Sequence, residues 1–100
     1  MFQAVLMKST NPNKKFSVYI ENGKTIKKID FGSKGMSDYT HHKNNERKNR
    51  YIERHKKRED WNDPFTAGFW SLHALWNKKT LDDSLKDIEK NYDIEIENMS

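Results

Sequence analysis

The chain has 100 residues, 33% hydrophobic and 34% charged, with a formal net charge of +4 and no cysteine. That length argues for one domain, the missing cysteine excludes disulfides and thiolate metal sites, and no apolar run approaches the ~20 residues of a membrane helix. A core drawn from so few apolar residues has to rely on its aromatics, 12% of the chain, each able to bury about 150–250 Å².

The opening MFQAVLMK is too short for a secretory signal and lacks a basic start, so a soluble intracellular protein is expected. Residues 2–8 fit a first strand, and Asn11-Pro12-Asn13 then favours a turn. In 16–21 (FSVYIE), Phe16, Val18 and Ile20 alternate with Ser17, Tyr19 and Glu21, the period of a strand. Asn22-Gly23 follows, the preferred pair for a type I′ hairpin turn. A third strand is expected over 24–31, although Ile26 and Ile29 stand three apart; a bulge or a lysine-rich edge would reconcile that spacing.

The loop GSKG (32–35) ends the sheet. Asn44 suits an N-cap for a helix over about 45–59, which no Gly or Pro interrupts. Asn62-Asp63-Pro64 breaks the chain and restarts it, with Asp63 as N-cap of a Trp-rich helix over about 64–76. Thr80 and Asp83 match a capping box for a last helix over about 81–92, where Leu81, Leu85, Ile88 and Tyr92 form one stripe. The closing DIEIE alternates and can add a short strand or fray. The fold class is therefore α+β: an N-terminal antiparallel three-stranded meander packed against two or three helices. Tyr51, Ile52, Trp70, Trp76, Leu85 and Ile88 are expected in one core with Val18 and Ile20. An exposed Trp in the 64–76 segment would instead mark a protein interface.

Charge is distributed unevenly. Residues 43–58 carry eight Lys/Arg against Glu46 and Glu53, and residues 81–100 carry seven acids against two Lys. At 100° per residue, Lys43, Arg47, Arg50, Arg54 and Arg58 fall near one stripe with Lys57 beside it. Tyr51, Ile52 and His55 fall on another side, next to Lys48. Like charges at i,i+4 weaken a helix by a few tenths of a kcal/mol each, a penalty that a phosphate backbone relieves by neutralisation and counterion release. Together with Lys34 in the preceding loop, these eight basic residues form a candidate nucleic-acid surface, with DNA favoured. A solvated face is the plainer reading, since Glu46, Glu53 and Glu59 can pair with the arginines, and an acidic protein surface is a second possible ligand. Glu59, at the unfavourable end of the helix dipole, is expected to be held by His55 or by a lysine of the 34–43 loop.

Other chemistry has less support. His41, His42 and His55 could be combined as metal ligands, but no Cys accompanies them and no H-x-x-x-H pair exists. Asp38, His41, His42 and Glu59 could form a nuclease-like cluster, yet nothing in their spacing demands it. No enzyme activity, cofactor or metal is expected.

Residues 31–90 carry a further signal. Asp38-Tyr39-Thr40, His42-Lys43, Arg47 to Tyr51, Arg54 to Glu59, Thr66 to Trp70, Leu75 to Lys78 and the helix from Leu81 follow one another in an order that resembles a family of small basic proteins of nucleocytoplasmic large DNA viruses, the giant viruses of amoebae and algae. Asn45 departs from the pattern, standing where many members carry Pro. That family is itself uncharacterised. The resemblance implies a viral setting, in the factory of the infected cell or in the virion and not secreted, and no particular activity. A DNA-binding or DNA-compacting protein is then the leading expectation. The alternative is a structural or adaptor protein that joins other viral proteins through the basic helix and the Trp-rich segment.

Overall fold

The computed structural model describes residues 2–100. Strands β1 (Phe2–Lys8), β2 (Lys14–Glu21) and β3 (Ile26–Ser33) form the antiparallel meander. Helices α1 (Tyr39–His42), α2 (Asn45–His55), α3 (Ala67–Trp70) and α4 (Leu81–Tyr92) follow. The closing alternation forms β4 (Ile94–Asn98), which pairs in parallel with β1, so the mixed four-stranded sheet has the order β3-β2-β1-β4. The fold is α+β.

Period-2 patterning decides which face of the sheet is covered. Ala4, Leu6, Val18, Ile20, Ile29, Phe31 and Ile94 point to one face and are buried beneath Phe69, Trp70, Ala74, Leu75, Leu85 and Ile88. On the other face, Asp30 accepts hydrogen bonds from the hydroxyls of Ser17 and Ser9. The β2–β3 register runs without a bulge from Lys14↔Ser33 to Glu21↔Ile26. Ile26 is simply exposed on the open face of an edge strand while Ile29 enters the core, so of the two explanations for their spacing the lysine-rich edge holds.

The hairpin turn is displaced by one residue from the expected one. Asn22 donates its backbone N–H to Thr25 O at 3.2 Å, and its side-chain oxygen accepts from the backbone of Lys24 and Thr25. The turn is therefore centred on Gly23-Lys24. Of the pair Asn22-Gly23, only Gly23 has positive φ. Glycine as first central residue is the type II′ preference, and Asn22 acts as a local cap.

Two helices differ from expectation. Helix α2 ends at His55, and residues 56–58 turn away, with Arg58 and Glu59 both donating to His55 O. The run Lys56-Lys57-Arg58 sets three like charges side by side there. The Trp-rich helix begins later than 64. Thr66 caps α3 by accepting from Phe69 N–H, while Asp63 holds Phe65 N–H in the preceding turn. From Ser71 to Leu75 the chain continues as a π-helical turn. A π turn brings residues five apart into register, and Phe69 with Ala74, and Trp70 with Leu75, are all buried. Trp70 also donates Nε1–H to Pro64 O at 2.8 Å.

The expected core is correct for Val18, Ile20, Trp70, Leu85 and Ile88. Tyr51, Ile52 and Trp76 are only partly buried, and α2 has no fully buried residue. The basic helix stands against the domain as an outer element. No helix is long and apolar enough to cross a membrane among the described residues.

Candidate functional site

What holds α2 in place defines the site. Asn44 caps it by accepting from Glu46 and Arg47 N–H, as expected. Tyr39 of α1 donates its hydroxyl proton to Asn45 Oδ1 at 2.6 Å. Midway along, the Tyr51 ring stacks on Trp76 with centroids 4.4 Å apart and planes 3° from parallel, and His55 stacks on the other face of Tyr51 at 4.3 Å. His42 lies tilted beyond Trp76 at 5.3 Å. Four rings therefore form one column, His55–Tyr51–Trp76–His42. Burial pushes the Tyr51 phenol above its ordinary range. His42 accepts the Asn44 N–H at Nδ1, so its proton sits on Nε2, a buried atom without a hydrogen-bond partner. Burial and the nearby Arg47 hold its pKa below that of a free histidine.

Lys48 belongs to this docking seam. Its Nζ donates to Asn77 O at 2.7 Å and lies 4.8 Å from the centre of the Tyr39 ring. Burial, aided by Lys78, lowers its pKa. It serves as a structural cation and is removed from the candidate ligand surface.

Arg47, Arg50, Arg54 and Arg58 do come together. They line one cleft of about 590 Å³ between α2 and the segment after β3. Tyr51, Leu75 and Trp76 contribute apolar surface to it, and Met36, Ser37 and Asp38 line it from the facing segment. Among the described residues no hydrogen bond or ion pair from these four arginine side chains is found. Glu53 pairs instead with Lys56 at 3.1 Å, and Glu59 lies 3.9 Å from His55. The acids of α4 and β4 do not reach the row. Lys34, Lys43 and Lys57 are exposed but do not line the cleft. Lys43 takes a left-handed conformation to end α1 and donates to Thr40 O.

The facing wall is fixed by a pair that sequence reasoning missed. Asp38 is 2% exposed and accepts from Lys15 Nζ at 2.6 Å, from Thr40 N–H at 2.9 Å and from the Thr40 hydroxyl, with His41 Nδ1 at 3.3 Å. Burial alone would push its carboxyl up. The hydrogen bonds from Lys15 and Thr40 outweigh that and hold it below the usual range. Asp38 and Lys15 are 23 positions apart, so no local pattern joins them; the one available signal was Asp38 as a capping residue ahead of Thr40. Gly32 closes the same region. Its φ is +78°, which favours glycine, and a Cβ there would come within 2.8 Å of Leu75 Cδ1 and force that side chain to shift.

Glu59 Oε1 lies 3.9 Å from Nδ1 of His55, one of its two expected partners, which is beyond hydrogen-bond distance, and among the described residues no hydrogen bond or ion pair joins it to the 34–43 loop. Its carboxylate lies against Gly68, where an added Cβ would meet Oε2 at 2.0 Å. It thereby bridges the end of α2 to the first turn of α3. The histidines are dispersed: His42 and His55 cap the ring column, and His73 donates its Nε2–H to Trp61 O at 2.8 Å, with the Tyr92 hydroxyl 3.3 Å from the same nitrogen. No group of three His, Asp or Glu able to hold a metal is gathered among the described residues.

A family model described as Family of unknown function (DUF5754) matches residues 4–55, just over half of the chain. The match spans β1 to the end of α2 and so contains Lys15, Asp38, Arg47, Arg50 and Arg54; Arg58 and Trp76 lie beyond it. No curated protein and no solved structure matches the chain.

Proposed function

We propose that this chain, which belongs to the Family of unknown function (DUF5754), is a non-enzymatic nucleic-acid-binding protein, with DNA the favoured ligand, that grips phosphates with Arg47, Arg50 and Arg54 of α2 and with Arg58 just beyond it. The observation that carries the reading is that Arg47, Arg50, Arg54 and Arg58 line one cleft without an acidic partner among the described residues. Four guanidinium groups so close repel one another, and each offers a fork of donors suited to phosphate oxygens. An anionic backbone removes the repulsion and releases counterions. The resemblance to small basic viral proteins supports a setting in the infected cell or the virion, where a genome is copied and packed.

Salt dependence tests the reading. Affinity for an oligonucleotide, followed by fluorescence anisotropy, is expected to fall linearly on a log–log plot, by roughly 0.7–0.9 per contacted phosphate. Replacing Arg47, Arg50 and Arg54 with Ala together should flatten that slope by about 2–3. These side chains hold no other part of the fold, so the variant should melt like the parent. Binding that ignores salt, or an unchanged slope in the triple variant, rejects the basic helix as a nucleic-acid site and leaves the adaptor alternative.

A further inference from the structure

Resting on that reading, the geometry points to single-stranded nucleic acid as the ligand of the arginine cleft. A helix that reads a duplex has to enter a groove about 12 Å wide and 8.5 Å deep. With its side chains, a helix is itself about 10–12 Å across and fills that groove alone. Helix α2 does not present its arginines that way. The row lines the same cleft as Met36, Ser37 and Asp38 of the segment after β3. The buried Asp38–Lys15 pair pins this segment to β2. A wall beside the row leaves less room for a second strand than a bare helix face would. One strand, with a single backbone and unstacked bases, fits a cleft of about 590 Å³, within the range of about 300–1,000 Å³ typical of small-ligand sites.

The lining also suits a base, and shows where it goes. Tyr51 cannot stack on a base, because His55 and Trp76 already cover its two faces. His55 ends the column, lines the cleft and has a side chain 34% exposed. Met36 lines the cleft too, is 66% exposed, and offers a soft apolar side chain of the kind used at adaptable binding surfaces. Phosphates lie along Arg47, Arg50 and Arg54, two turns of helix or about 10 Å, and a base lies at His55 and Met36. Stacking of this kind tolerates any base, so little sequence preference is expected.

The experiment compares (dT)12 and (rU)12 with a 12-base-pair duplex in the same salt, by anisotropy. The single strands should bind at least tenfold tighter than the duplex. Met36→Ser, on an exposed loop position, and His55→Ala should each weaken single-strand binding several-fold while leaving the salt slope unchanged, whereas Arg50→Ala should lower the slope. Binding of (dT)12 or of (rU)12 more tightly than the duplex supports the inference, and their ratio shows which sugar is accepted. Equal or tighter binding of duplex overturns it and leaves the phosphate-binding role standing, as does unaltered affinity in a Met36→Ser variant that melts normally. Failure of all three probes to bind overturns both the inference and the role it rests on.

Discussion

Replacing Asp38 with Asn tests whether the wall of the cleft is held as described. The carboxylate is 2% exposed, and its partner Lys15 is 15% exposed. Asparagine keeps the volume and one oxygen to accept from Thr40 N–H, but it removes the charge and turns an NH₂ group toward Lys15 or Thr40. Deleting one member of a buried ion pair costs about 3–5 kcal/mol. Lys15 retains some access to water, which favours the lower end, about 3 kcal/mol. For a domain whose total stability is of order 5–15 kcal/mol, the urea midpoint should drop by about 1–3 M at an unchanged slope of about 1–3 kcal/mol/M. Acid supplies an internal check. The folded-state pKa of Asp38 lies below that of the unfolded chain, about 3.9. Its contribution is then complete above about pH 4 and is lost as pH falls through the folded value. The gap between parent and Asp38→Asn should therefore narrow in acid. A loss under about 0.5 kcal/mol, far below the 3–5 kcal/mol of a broken buried pair, or a gap that stays constant into acid, would refute the assigned role of the pair.

Two further outcomes follow from burial. Trp70, fully buried and bonded to Pro64 O, should cost about 3–5 kcal/mol when cut to Ala; an unchanged urea midpoint would remove it from the core. His73 is held by burial below the pKa of a free histidine, so the folded state resists the proton that the unfolded chain takes up below about pH 6.5. Stability should fall as pH is lowered from 7.5 to 5.5, and His73→Phe, which keeps a ring beside Phe69 and Tyr92, should fall less steeply; identical pH profiles would reject the assignment.

The parts of this fold that could be read in the sequence are those set by neighbours along the chain. Alternation from Phe16 to Ile20 specifies β2 and Asn22-Gly23 marks where the hairpin falls, although the turn itself is centred one residue later, on Gly23-Lys24. The arginine row follows from helical periodicity alone. Its surroundings do not. Whether Arg47, Arg50 and Arg54 face open water or a cleft depends on the segment at 36–38, which is placed by a buried ion pair spanning 23 positions. Lys48 illustrates the same limit: by sequence it is one more cation of a basic helix, and it leaves that set only because Asn77 O and the Tyr39 ring lie within reach. Helical periodicity puts Tyr51 and Ile52 on one docking side of the basic helix and so predicts them, with Trp76, in the core, whereas an outer helix docked through stacked rings shields that seam without fully burying it. The π turn at Ser71–Leu75 has no signature in TAGFWSLHALW that separates it from an α-helix; it is selected by the sheet against which Trp70 and Leu75 both pack.

The placement of β4 has consequences for the order in which the molecule assembles. Its backbone joins β1 through Phe2 N–H to Asp93 O and Met99 N–H to Leu6 O, and the side chain of Glu89 on α4 accepts from Ile96 N–H on the strand's other side. Bringing these strands together closes a loop of about 90 residues, an entropic cost near 4 kcal/mol against about 1 kcal/mol for the four-residue connection of β2 to β3. On a ribosome, β1 to β3 and the cleft residues emerge before β4, and the edge of β1 waits unpaired until β4 is made. The same closure should be first to open. In hydrogen exchange, the amide of Met99 should trade its proton well ahead of those of Val18 and Ile20, leaving the arginine cleft intact while the far edge of the sheet breathes.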